Sequence, residues 1–303
     1  MTDYAKKYRS ATELNEDAKI SVLFKCENLQ KTGSFKFRGA YNAISKLTLE
    51  QKQKGVLAYS AGNHGQGIAL SGRLFNLKTR IIVPNDAPQL KIDAMRGYGA
   101  ELIQIDRYKE DIDSFIQHQK VETGRTFISP FDHFDIIAGQ GTVAKEFLEQ
   151  VGELDHLIMG IGGGGLISGC AVAAKAMHPN IKIHGVEPGS GDDAAQSLRQ
   201  NRIVSVPAQK TIADGASLPH IGVLNLPIMR RYIDTITCVS DDELVGAMRM
   251  FSERCKLIVE PTGCLGFAAI KQLIRSGVIK PGDKVGCVIT GGNIDMKRFS
   301  TLM

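Results

Sequence analysis

From Ile20 onward, short apolar runs alternate with longer segments in which apolar residues recur at helical spacing. The first pattern belongs to strands buried on both faces, the second to helices with one buried stripe. Strands are expected over residues 20–25, 55–59, 79–83, 101–105, 126–128, 156–160, 181–186 and 284–289. Helices are expected over 37–47, 65–75, 88–98, 110–121, 137–151 and 166–177, with the longest one after Ser240. Such alternation builds βαβ units, and these build parallel sheets covered by helices. Ser240-Asp-Asp-Glu243 fits a capping box, in which serine and glutamate satisfy free backbone N–H groups. Leu244, Met248, Phe251 and Cys255 follow as an apolar stripe, which reads as core.

The chain has 303 residues, 43% of them hydrophobic, more than one core usually holds, so two domains are expected. The larger takes residues 1–54 and 133–303, and a smaller one, 55–132, is inserted in it. A net charge of +5 with no basic block or tail offers no electrostatic footprint for nucleic acid. Residues 1–10 are polar and charged, and no apolar run reaches the length of a membrane span. A cytoplasmic protein without membrane contact is expected. The six cysteines, at 26, 170, 238, 255, 264 and 287, contain no C-x-x-C pair and read as reduced, mostly buried apolar residues.

Candidate chemistry lies in a few stretches. In Lys31-Thr-Gly-Ser-Phe-Lys36-Phe-Arg-Gly-Ala40 one lysine stands between Phe35 and Phe37. Desolvation between aromatic walls lowers its pKa and makes it a nucleophile suited to Schiff-base formation; the same run also fits a solvated basic face. Ser60-Ala61-Gly62-Asn63-His64-Gly65 follows an apolar run, where backbone N–H groups either hold a carboxylate or simply open a helix. Gly162-Gly163-Gly164-Gly165-Leu166 lies between an expected strand and helix, and lets the backbone turn its N–H groups toward an anion such as phosphate. With Gly160, and with Glu187 ending the next strand, it also satisfies a dinucleotide fingerprint, which makes an NAD-dependent oxidoreductase the rival reading. That rival leaves Lys36 and residues 60–64 unexplained. Glu187-Pro-Gly-Ser-Gly191-Asp-Asp193 gathers hard oxygen donors, suited to Mg²⁺, Mn²⁺ or Ca²⁺ or to a solvated acidic turn.

Together, Lys36 in its loop, the Ser60 to Gly65 motif and the tetraglycine stretch resemble the three-part pattern of the fold-type II enzymes that use pyridoxal phosphate (PLP). Within them the chain is similar to the threonine/serine dehydratase and serine racemase branch, from about Ala11 to the C-terminus. The resemblance implies an α/β fold like that of the tryptophan synthase β chain. Its two open, twisted, mainly parallel sheets are flanked by helices, and the cofactor lies between a large and a small domain. Lys36 would hold PLP and, once freed, take the Cα proton. Phe35, Asn63, Gly162, Gly163, Gly164, Gly165, Leu166, Glu260 and Thr290 would bind the cofactor. The glycines would hold its phosphate, Asn63 its 3-hydroxyl and Thr290 its ring nitrogen, with Glu260 near the ring. A hydroxyl, unlike a carboxylate, does not hold that nitrogen protonated, which suits elimination. By its residues alone, Glu260 reads equally as an exposed helix cap. Ser60, Ala61, Gly62, Asn63 and His64 would grip the substrate carboxylate. Glu187, Gly191 and Asp193 match the structural cation site of serine racemase and related dehydratases, with glycine replacing the usual alanine.

The activity implied is conversion of L-threonine or L-serine to a 2-keto acid and ammonia by α,β-elimination of the hydroxyl. Threo-3-hydroxyaspartate ammonia-lyase and serine racemase are alternatives within the family, and a non-catalytic PLP-binding module is one outside enzymology. Ala61 stands where the serine racemases carry a serine that returns a proton on the face opposite the lysine, so little racemisation is expected. Relatives of this branch are usually dimers or tetramers, and a homodimer or homotetramer is expected here. Only residues 294–303 follow Asn293, where biosynthetic threonine dehydratases carry a regulatory domain, so no control by isoleucine is expected. The lysine also lies closer to the start of the chain than in many relatives, which implies that an N-terminal docking helix is absent.

Overall fold

The computed structural model describes residues 19–207 and 210–303; the opening of the expected large domain, with Ala11 where the resemblance begins, lies outside the described residues. The strands are β1 Ser21–Cys26, β2 Val56–Tyr59, β3 Thr79–Pro84, β4 Glu101–Ile105, β5 Thr126–Phe127, β6 His156–Gly160, β7 Lys182–Pro188, β8 Thr235–Val239 and β9 Lys284–Ile289. They form one sheet ordered β1-β9-β6-β7-β8 and another ordered β4-β3-β2-β5. All their pairings are parallel, with β1 matched to β9 from Ser21 and Lys284 through Cys26 and Ile289.

Parallel sheets need both faces covered, which is why their inner strands run almost wholly apolar. In β3, Ile81, Ile82 and Val83 are all fully buried, as are Val285, Val288 and Ile289 in β9. The cover comes from helices α1 Lys36–Ser45, α2 Leu49–Lys54, α3 Asn63–Leu74, α4 Gln89–Gly97, α5 Ile112–Thr123, α6 Phe134–Val151, α7 Gly165–Met177, α8 Asp193–Gln200, α9 Asn225–Tyr232, α10 Asp241–Met250, α11 Leu265–Ala268, α12 Ile270–Arg275 and α13 Met296–Leu302. Among the described residues no helix is long and apolar enough to cross a membrane.

Several elements depart from their expected bounds for identifiable reasons. The longest helix is α6, with 18 residues, and not the one after Ser240. It starts a turn ahead of residue 137 because the His133 ring accepts the Asp135 N–H and caps it. The capping box at Ser240 and Glu243 is present, but α10 runs only to Met250 before a π-turn over Phe251–Cys255. Leu244, Met248, Phe251 and Cys255 all lie in the core beside the large sheet. Strand β8 has no continuous apolar run. Its Thr-Ile-Thr-Cys-Val alternation belongs to the edge strand it is.

The inner face of α1 turns toward the small sheet. Ala40, Ala43 and Ile44 share one cluster with Val56, Ala58 and Ile128, so the segment expected to open the large domain packs on the small sheet. None of the six cysteines is in a disulfide; Cys170, Cys255, Cys264 and Cys287 are buried and Cys238 is exposed. In open parallel sheets, ligands gather beyond the carboxyl ends of the strands. The segments after β1, β2, β6, β7 and β9, up to the first residue of the next helix, carry the candidate residues Lys36, Asn63, Gly163, Asp193 and Thr290, respectively.

Candidate active site

Lys36 is the first residue of α1, and the loop ahead of it sets its aim. Gly33 has φ +68°, and a Cβ there would lie 2.4 Å from Asn293 Oδ1, so only glycine fits. The Phe35 N–H donates to the Thr290 carbonyl at 3.1 Å and the Gly292 N–H to the Gly33 carbonyl at 3.0 Å. These bonds stitch the lysine loop to the loop after β9. The Lys36 Nζ donates to the Pro130 carbonyl at 2.8 Å and lies 5.2 Å from the centre of the Phe35 ring. Burial pushes its pKa down to about 8. The expected second aromatic wall points elsewhere. Phe37 lies one step round the helix and pairs with Tyr41, ring centroids 5.6 Å apart.

The glycine loop is compressed on one side. A Cβ on Gly163 would come within 2.1 Å of the Phe131 ring, one on Gly165 within 2.9 Å of the Phe131 carbonyl oxygen, and one on Gly162 within 3.0 Å of the Gly215 carbonyl oxygen. Gly164 has φ +89° at the N-terminus of α7. The first N–H groups of this helix have no intrahelical acceptor, and with the helix dipole they favour an anion. Because Pro130 receives the Lys36 ammonium and Phe131 walls the glycines, the lysine and this cradle are neighbours.

Asn63 opens α3. Its Nδ2 donates to Glu260 Oε1, and its Oδ1 accepts from Asn293 Nδ2 at 2.9 Å. Asn293 Nδ2 also donates to the Thr32 carbonyl at 2.7 Å. Glu260 is buried, 2% exposed, and so is no surface cap. Its Oε2 accepts from Lys91 Nζ at 3.3 Å, and Lys91 also donates to Asp214 Oδ2 at 3.0 Å. Removing one partner from such a buried pair costs about 3–5 kcal/mol, so Lys91 needs its carboxylates as much as they need it. Burial drives the Glu260 carboxyl upward, and Lys91 pulls it back. Burial also opposes the Lys91 charge, yet Glu260 and Asp214 raise its pKa. Thr290 is buried beside them, its Oγ1 donating to the Thr262 carbonyl at 3.4 Å.

In the loop after β2, Ser60 Oγ accepts the N–H of Gly62 at 3.0 Å and of Gly65 at 2.9 Å, so this oxygen serves the start of α3. Ala61 follows with a half-buried methyl. His64 is buried with Nε2 3.0 Å from the Ile128 carbonyl. That contact makes Nε2 the protonated nitrogen and leaves the buried Nδ1 without a partner. Burial, and then the Lys36 charge, push its pKa down to about 3, so the ring is neutral.

Glu187 and Asp193 are brought together at the end of β7, apart from the Lys36 network. Both Glu187 oxygens accept backbone N–H groups, from Ala194 and Ala195 at 2.9 Å each. Burial pushes Glu187 up to about 8 and Asp193 up to about 7. Asp193 Oδ2 is buried without a partner. Among the described residues no group of three His, Cys, Asp or Glu gathers that could hold a metal. So engaged, Glu187 is also turned away from the ribose-binding part that the dinucleotide reading gives it.

The family described as pyridoxal-phosphate dependent enzyme matches this sequence over residues 6–291. The chain belongs to that family. An L-threo-3-hydroxyaspartate ammonia-lyase of Saccharomyces cerevisiae is 50% identical over 96% of this chain and 88% of its own length. A serine racemase of Schizosaccharomyces pombe is 45% identical over 96% of this chain and 89% of its own. Among solved structures, the serine racemase of maize superposes with a TM-score of 0.91 at 39% identity, covering 96% of this chain and 88% of that one.

The site suits the cofactor of a pyridoxal-phosphate dependent enzyme. Lys36 offers a buried amine of lowered pKa, and the cradle at α7 offers a helix N-terminus shaped by glycines that a Cβ would block. Pattern reading missed Pro130, Phe131, Asp214 and Lys91. Only Lys91 left a signal. It lies four residues before Met95 and next to Ile92, on the buried stripe of α4, where a lysine is unusual.

Proposed function

We propose that this chain is a PLP-dependent ammonia-lyase for 3-hydroxy amino acids, with L-threo-3-hydroxyaspartate as the first substrate and L-serine and L-threonine after it. The family resemblance alone puts threonine and serine first; the 50% identity to a hydroxyaspartate ammonia-lyase supports the reverse order.

One observation carries the lyase reading over racemisation. The Ser60 side chain is held at the start of α3, where its oxygen accepts two backbone N–H groups, and Ala61 has no proton to give. Lys36 therefore acts as the proton carrier at the substrate Cα, its Nζ poised beside Phe35 and the Pro130 carbonyl. When bound, PLP supplies an electron sink for the pair left on that carbon. The N–H groups at the start of α7 hold the phosphate. Asn63 donates to the ring hydroxyl, and Thr290 sets a neutral hydroxyl at the ring nitrogen. Backbone N–H groups of residues 60–64 orient the substrate carboxylate, and the neutral His64 adds no charge there. Loss of the Cα proton and the β-hydroxyl, followed by hydrolysis, yields a 2-keto acid and ammonia. Glu187, Asp193 and the Gly191 carbonyl hold a divalent cation whose remaining ligands are water; the unpartnered Asp193 oxygen supports this.

The test is keto-acid release by the PLP-loaded protein from L-threo-3-hydroxyaspartate, L-serine, L-threonine and D-serine, with chiral analysis of the serine. The reading expects hydroxyaspartate to have the highest kcat/KM and little D-serine to form from L-serine. Interconversion of the serine enantiomers as fast as pyruvate appears would favour the racemase instead.

A further inference from the structure

Glu260 gives one oxygen to Asn63 and the other to Lys91. An ionised carboxylate can accept from both. A protonated one must donate its hydrogen, and neither an ammonium nor an amide nitrogen has a lone pair to receive it. The packing therefore suits only the ionised form. A buried carboxylate stays ionised beside a cation, and the cation in contact here is Lys91, which arrives from α4 next to the small sheet. The other charges facing this pair are Asp214 on Lys91 and Arg298, 3.9 Å beyond Asp214. Asn63 cannot turn its amide over, because its Oδ1 is held by Asn293.

We propose that Lys91 is a positioning residue for the cofactor end of the site: by keeping Glu260 ionised it fixes the Asn63 amide, leaving the second Nδ2 hydrogen as donor to the ring hydroxyl. The proposal rests on the part given to Asn63 in the proposed function. In this role Lys91 acts through Glu260.

The test titrates PLP-free wild type, Lys91→Met, Glu260→Gln and the double variant with PLP, reading the dissociation constant and the visible absorbance from pH 6 to 9. Lys91→Met should bind PLP on the order of tenfold more weakly. Its spectrum should change over this range as Glu260 takes up a proton, a change absent from the double variant. Glu260→Gln and the double variant should match each other, since the lysine has nothing left to act through. The double variant buries no unpaired carboxylate and gives its readout even where Lys91→Met fails to fold. Wild-type affinity and spectrum in Lys91→Met would overturn the proposal. So would a double variant that binds PLP clearly worse than Glu260→Gln. Wild-type protein that takes up no PLP at all would instead overturn the proposed function, and this inference with it.

Discussion

The Lys36 amine has a lowered pKa because of where it rests. With a pKa near 8, roughly a tenth of it is neutral at pH 7 and most of it at pH 9. Modification of PLP-free protein by an amine-selective reagent, followed by peptide mapping, should show Lys36 reacting with a midpoint near 8, well below that of exposed lysines. A midpoint in the ordinary range of exposed lysines would contradict the burial argument. Lys36→Ala should lose both turnover and the visible absorbance of bound PLP. A second prediction concerns Ala61. Ala61→Ser should raise racemisation of serine relative to elimination, measured as D-serine against pyruvate, because it adds a hydroxyl beside a Ser60 that already caps α3. An unchanged ratio would mean that residue 61 does not face the substrate.

At the scale of elements, the cradle depends on a close contact between two loops. Gly163→Ala would drive a methyl into the Phe131 ring. PLP affinity should fall by an order of magnitude or more, and Phe131→Ala in the same chain should recover part of it, both read by absorbance titration. Ser240→Ala removes half of the capping box of α10. It should cost about 1 kcal/mol in denaturant unfolding and leave PLP binding unchanged. These elements were legible in the sequence to different degrees. Buried parallel strands such as β3 announce themselves by Ile-Ile-Val, and glycines at a strand-to-helix junction by their number. Edge strand β8 does not, because half of its side chains meet water. The site was legible where chemistry needs a rare residue pattern, as at Lys36 and Gly162 to Gly165. It was illegible where the partner is a backbone carbonyl, as at Pro130, or where a common lysine is made special by burial, as at Lys91. The second phenylalanine wall failed for a geometric reason: a helix begins at Lys36, so Phe37 turns away.

For the molecule as a whole, burying the carboxylates of Glu187 and Asp193 carries a charge cost that their backbone N–H donors do not remove, since both are pushed upward by burial. A bound divalent cation would offset that cost. Chelation should lower the melting temperature, and Mg²⁺ or Mn²⁺ should restore it. A melting temperature indifferent to chelator in protein shown by elemental analysis to have carried metal would count against the cation.

Among the described residues strand β1 has a single partner in its sheet, β9, and the lysine loop is tied to the residues that follow β9. During synthesis, therefore, residues 21–26 emerge early and wait for residues 284–289 before they can pair. At roughly 5–20 residues per second the interval is some tens of seconds or less. The small sheet, whose strands span residues 56–127, meets no such delay. A ribosome-bound chain should thus acquire a protease-resistant middle while its beginning is still open, and the amine at residue 36 should gain its special reactivity among the last events of folding.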